Sequence, residues 1–174
     1  MKRILLDTNI YGEMVMDHEI EKMRNIFMTT KKIVVYGSDI IRRELRLIPK
    51  KVTIPNGHVI KTASKKLRVS LLGLYDEIVK KSYDTNQRIL SLADHYYGTY
   101  RELGGSISKF KIINDFRIIA CATLHDLDIV ISEDDRTMFA ENPIKAYKIV
   151  NSILEKRNPE FIGYLKFKKV LRSG

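Results

Sequence analysis

Apolar residues fall in two rhythms along this chain. Short unbroken runs, Ile4-Leu5-Leu6, Ile33-Val34-Val35-Tyr36 and Ile129-Val130-Ile131, are what strands covered on both faces show. We read strands over residues 2–6, 33–36 and 128–132. Between them the spacing is helical. Asp7-Thr8-Asn9 offers cap-forming residues for a helix from near Ile10. Met23, Ile26 and Phe27 carry a second helix from Ile20 to Thr29-Thr30. Gly37 reads as a turn, and Ser38 as the cap of a helix that buries Ile40, Ile41, Leu45 and Ile48 and stops at Pro49.

Lys50 to Lys66 reads as a basic, irregular stretch around the turn Pro55-Asn56-Gly57. Leu67, Leu71, Leu74, Ile78 and Val79 then mark one helix, and Ile89, Leu92, Ala93, Tyr96, Tyr97, Tyr100 and Leu103 another. Their length and spacing predict an antiparallel pair, ended by Gly104-Gly105, with the tyrosines packing in the core. A helix over Lys111–Leu124 turns Ile112, Phe116, Ile119, Ala120, Thr123 and Leu124 inward. Pro143 opens another helix, with Ala146, Ile149, Val150, Ile153 and Leu154, which Asn158-Pro159 ends. Residues 161–171 form a basic-aromatic tail that holds a last strand or lies over a partner.

Strands separated by helical segments of ten residues or more need crossovers, hence a mainly parallel sheet in an α/β layer architecture. Its functional crevice lies beyond the carboxyl ends of the strands. Asp7 and Asp134 each follow a strand at that end. Glu44 lies about two turns into the helix after the second strand, and Asp115 near the middle of its own helix.

Composition narrows the class. The 174 residues predict one domain. Forty-four per cent hydrophobic and 30% charged residues are ordinary for a soluble protein. No apolar run is long enough for a membrane span, and three apolar residues before Asp7 are too few for a signal-peptide core. A single cysteine, Cys121, inside the run Ile118–Ala122, excludes an internal disulfide and fits a reducing cytoplasm. The 31 basic and 21 acidic residues leave +10, and the excess is clustered: Arg42–Arg68 holds nine basic residues against Glu44 alone. That distribution points to nucleic acid as partner, with Arg42, Arg43, Arg46, Lys50 and Lys51 the candidate contacts.

Each acid has an ordinary reading alone: Asp7 as a helix cap, Glu44 as an ion pair with neighbouring arginines, Asp115 as a helix acid, Asp134 as a turn residue. Together at one sheet edge they would repel by roughly 4 kcal/mol per close pair at intermediate dielectric. Protonation or a cation must answer that. An all-oxygen set points to Mg²⁺ or Mn²⁺ rather than Zn²⁺, and the four scattered histidines offer no alternative. Such an ion keeps waters, polarises one towards hydroxide and offsets phosphate charge.

Four segments in this order resemble the PIN-domain nucleases, with the VapC-like toxin ribonucleases of type II toxin–antitoxin pairs as the nearest subgroup. They are Leu5-Leu6-Asp7-Thr8-Asn9, Ser38-Asp39-Ile40-Ile41-Arg42-Arg43-Glu44-Leu45, Asn114-Asp115-Phe116-Arg117-Ile118-Ile119-Ala120-Cys121-Ala122 and Ile129-Val130-Ile131-Ser132-Glu133-Asp134. The resemblance covers residues 1–48 and 108–140. It implies a three-layer α/β/α sandwich with a mainly parallel sheet and an added helical pair: one PIN-like domain over 1–174, with 50–105 as extended loop and helical hairpin. By resemblance Asp7, Glu44, Asp115 and Asp134 are the catalytic, metal-binding acids of a Mg²⁺/Mn²⁺-dependent endoribonuclease. Asn9 supports Asp7, and Ser132 positions Asp134 or a metal water. The family often has an aromatic three residues after the last acid. Here Thr137 stands there, which keeps Asp135 as a supporting candidate. The partners implied are RNA, a small antitoxin protein and a second copy of the chain. The alternative is a non-catalytic RNA-binding relative acting as adaptor or ribosome-assembly factor.

Overall fold

The computed structural model describes residues 1–47, 52–53 and 59–172, with side chains for 1–47 and 66–172. In chain order the elements are β1 (Lys2–Leu6), α1 (Thr8–Met16), α2 (Ile20–Thr29), β2 (Ile33–Ser38), α3 (Asp39–Leu47), β3 (Val52–Thr53), β4 (Val59–Ile60), α4 (Lys61–Ile78), β5 (Val79–Tyr83), α5 (Gln87–Glu102), α6 (Lys109–Leu124), β6 (Ile129–Ile131), α7 (Glu141–Ile153), β7 (Glu160–Ile162) and α8 (Tyr164–Arg172).

Five strands pair in the order β5-β2-β1-β6-β7, every pair parallel. Right-handed crossovers put α1 to α4 over one face as the chain steps outward from β1 through β2 to β5. They put α5 to α7 over the other as it returns to β6 and β7. The contacts agree: α4 packs on α1, α2 and α3, and α5 on α6 and α7. The expected α/β/α sandwich is therefore present. Its central strands are apolar on both sides, with Leu5, Leu6, Val130 and Ile131 fully buried. The aromatic layer beneath α5, α6 and α7 joins Tyr96, Tyr100, Phe116 and Tyr147 edge to face, so the tyrosine stripe is core. Cys121 is buried, as expected.

The direction of chain travel reverses between β1 and β6. That switch point opens a crevice at the carboxyl ends of the two strands.

Several expected elements differ. Gly37 does not turn the chain; β2 runs on to Ser38. A Cβ at Gly37 would come 2.1 Å from the Tyr75 hydroxyl, so the glycine makes room for that ring, whose hydroxyl donates to Ser38 O at 3.2 Å. Ser38 still caps α3, its Oγ accepting from Ile40 N at 3.1 Å. Part of the stretch read as irregular is ordered: Val52–Thr53 pairs antiparallel with Val59–Ile60, and α4 already begins at Lys61. The turn at residues 55–57 lies outside the described residues.

The two middle helices form as α4 and α5 but not as a hairpin, because β5 lies between them and pairs with β2. Val79, read as helix, opens that strand. In α7 the inward row is Ala146, Tyr147, Val150 and Asn151, which leaves Ile149, Ile153 and Leu154 exposed. Buried Asn151 is satisfied by the Tyr96 hydroxyl at 2.6 Å and by donating to Asn158 Oδ1 at 2.8 Å. The tail does contain a strand, β7, and then an amphipathic helix, α8, whose Phe167 stacks near Phe27 of α2.

Candidate metal centre

Asp7 leaves β1 while the chain is still tied to β6, its N–H donating to Ile131 O at 2.9 Å. It also caps α1. Its Oδ1 accepts from Thr8 N at 2.7 Å, and its Oδ2 from Asn9 Nδ2 at 2.9 Å and Ser132 Oγ at 2.7 Å. Ser132, the first residue after β6, spends its one proton on Asp7. Its lone pairs take Asn9 Nδ2 at 3.1 Å and Asp134 N at 3.0 Å, which uses the full capacity of a hydroxyl. Asn9 closes the network by accepting from Glu133 N at 3.3 Å. Asn9 and Ser132 thus lock the ends of β1 and β6 together.

Asp134 is held by the loop that it starts: its Oδ1 accepts from Arg136 N at 3.0 Å and Thr137 N at 2.8 Å, an Asx-type turn. Asp115 reaches the same place from the first half of α6. Glu44 arrives from α3, its carboxylate taking the Thr8 hydroxyl at 2.5 Å and Asn114 Nδ2 at 3.4 Å. All four acids line one cleft of about 540 Å³, with Thr8, Asn9, Gly12 and Glu13. Met16, Leu67 and Leu71 add apolar surface to the lining.

Burial and mutual repulsion set the charge of this cleft. Burial pushes Asp7 up to about 6, against the lowering bonds from Ser132 and Thr8, while Glu44 and Asp134 push it further. Burial likewise pushes Asp115 up to about 7, opposed by a bond from Thr137 and aided by Asp7, Asp134 and Glu44. No basic side chain is among these causes for either acid. Oxygen donors only, an excess of negative charge and no counter-ion bonded to these acids among the described residues fit a hard divalent cation. Its binding would expel the proton that Asp115 otherwise holds near neutrality.

Other expected residues stand elsewhere. Asp135 is exposed and does not line the cleft. Arg42 is engaged by Asp76 through two bonds of 3.0–3.1 Å, and Arg43 by Asp39 at 3.1 Å. Such exposed pairs are worth under about 1 kcal/mol. Arg46 is exposed; Lys50 and Lys51 lie outside the described residues. Thr8, Glu13, Asn114 and Thr137 join the site without having been read from the sequence as part of it. The spacing of Thr137 from Asp134, three residues on within one turn, was the only available signal. Among the described residues one trio brings ligand atoms within 4.8 Å of one another, namely Asp17, His18 and Glu19. Lys168, 2.7 Å from Asp17 and 2.8 Å from Glu19, and Arg172, 2.5 Å from Glu19, already neutralise the two carboxylates, and with these partners both stand at about 2.

The sequence matches no protein-family model and no curated protein. Solved structures do resemble the fold. A chain of VapBC2 from Rickettsia felis, crystallised with a DNA fragment from its promoter, aligns with a TM-score of 0.59 and 14% identity, over 93% of this chain and 98% of that one. A chain of DNA-bound VapBC from Salmonella typhimurium gives 0.58 and 15%, over 94% and 98%. VapBC-5 from Mycobacterium tuberculosis, a member of the VapBC family of toxin–antitoxin systems, gives 0.50 and 17%, over 78% and 87%. At these identities the likeness is one of fold. The chain has the PIN-like fold found in VapBC toxin–antitoxin complexes.

Proposed function

We propose that this protein is a Mg²⁺- or Mn²⁺-dependent endoribonuclease and the toxin partner of a toxin–antitoxin pair. One observation carries the reading: four carboxylates, from the end of β1, α3, α6 and the loop after β6, line a single cleft, and the groups that lower the two buried ones are hydrogen-bond donors from Ser132, Thr8 and Thr137 rather than basic side chains. The chain in these terms is one domain in the cytoplasm, a homodimer, with a small antitoxin protein as its partner.

Asp7, Glu44, Asp115 and Asp134 would hold the cation. When bound, it supplies Lewis-acid polarisation of a phosphoryl oxygen and a water of lowered pKa. The protein's own part is placement. Ser132, Asn9 and the Thr8 amide fix both oxygens of Asp7. The Thr8 hydroxyl turns Glu44 towards the same space. Met16, Leu67 and Leu71 present an apolar wall that limits water around the acids. Arg42, Arg43, Arg46, Lys50 and Lys51, on or just past the helix that carries Glu44, would contact the RNA phosphates; Arg42 and Arg43 would exchange their present partners for them.

Incubation of single-stranded RNA with the protein in Mn²⁺ should yield internal cleavage, and EDTA should abolish it. RNA that binds but stays intact with every divalent ion would replace this reading by the non-catalytic RNA-binding relative.

A further inference from the structure

Thr137 joins two of the acids through one atom. Its Oγ1 lies 2.6 Å from Asp115 Oδ2 and 2.5 Å from Asp134 Oδ2, while its own N–H donates to Asp134 Oδ1. A hydroxyl has one proton and cannot donate to both carboxylates. The two acids are thus held one hydroxyl apart, in an arrangement of three electron-rich oxygens that closes with a proton on one carboxyl or with a cation beside them. Thr137 is half-buried and is not part of the cleft lining. Asp115 Oδ1 makes no hydrogen bond among the described residues, so that oxygen remains for the cleft.

Resting on the metal-site reading above, we infer that Thr137 is a positioning residue: its hydroxyl sets the separation and orientation of Asp115 and Asp134 and thereby the cation affinity of the site. It connects α6 to the loop after β6, which nothing else in the acid network does among the described residues; Ser132 and Asn9 join β6 to β1, and Thr8 and Asn114 hold Glu44. It does not touch the substrate side and takes no part in bond making.

The test is Mn²⁺ titration followed by the electron paramagnetic resonance of the free ion, on wild type, Thr137→Val and Thr137→Ser. Valine keeps the shape and removes the hydroxyl; serine keeps the hydroxyl. Loss of a group that orients metal ligands costs about 10–100-fold in affinity, so T137V should bind at least about 10-fold more weakly than wild type, with T137S restored to within about threefold. A purely structural role would not separate valine from serine in this way when both melt alike in EDTA. If T137V does not fold, Thr137→Ala carries the same comparison. Equal affinity of wild type and T137V overturns the inference and leaves the metal site standing. Failure of wild type to bind Mn²⁺ overturns the metal site itself, and the role of Thr137 with it.

Discussion

Asp115→Asn should lower Mn²⁺-dependent cleavage of single-stranded RNA by at least about 100-fold, the scale on which an enzyme loses one group that manages transition-state charge. Asparagine keeps the shape and can still accept from Thr137, so the change isolates the charge. Asp115 is also the acid most strongly opposed by its surroundings, with burial pushing it up to about 7. The folded protein therefore gains nothing in stability from ionising it. Thermal melts in EDTA at pH 8 should accordingly show D115N at least as stable as wild type, the trade expected where function demands an unfavourable charge. Undiminished cleavage by D115N would remove Asp115 from the site.

The residue beside it controls the opposite quantity. Phe116 is fully buried, with ring centroids 5.5 Å from Tyr147, 5.7 Å from Tyr100 and 6.5 Å from Tyr96, all edge to face. Phe116→Ala should cost about 3–5 kcal/mol, the usual range for emptying such a site, out of a total of about 5–15 kcal/mol for a domain. Urea denaturation measures it, and a loss under about 1 kcal/mol would show that the α5–α6–α7 layer is not packed as described. Consecutive residues on α6 thus divide the work. Phe116 anchors one side of the helix, and the 100° step to Asp115 turns the carboxylate to the cleft.

How much of this the sequence disclosed follows from where each signal comes from. β1, β2 and β6 were legible because central parallel strands are apolar on both faces, and the runs ending at Leu6, Tyr36 and Ile131 have no other simple reading. β5 was not. Val-Lys-Lys-Ser-Tyr carries an edge strand's outward lysines, and Ile78-Val79 continues the helical spacing from Leu67. Only pairing with β2 makes it a strand. α8 was taken for a tail because Tyr164, Phe167 and Leu171 give it one narrow apolar row amid lysines. Asp7 and Asp134 were legible because strand ends are few and carboxylates there are conspicuous; Glu44 and Asp115 stand inside helices, where a carboxylate is ordinary, and stood out only in the company of the other two. Thr137, Asn114 and Thr8 were not legible, since a lone hydroxyl or amide means nothing until another element comes within hydrogen-bond reach. Asp135 shows the converse: adjacency to Asp134 made it a candidate, yet the Asx-type turn faces it to solvent.

Asp7, Glu44, Asp115 and Asp134 are proposed to bind a divalent cation. Crystals soaked in Mn²⁺ and measured for anomalous scattering test it most directly. The account predicts a manganese peak in the cleft, within about 2.0–2.6 Å of carboxylate oxygens of these acids, the range for hard cations on oxygen. A cleft without a peak in a soaked crystal, or manganese confined to the Asp17, His18 and Glu19 trio, would contradict it.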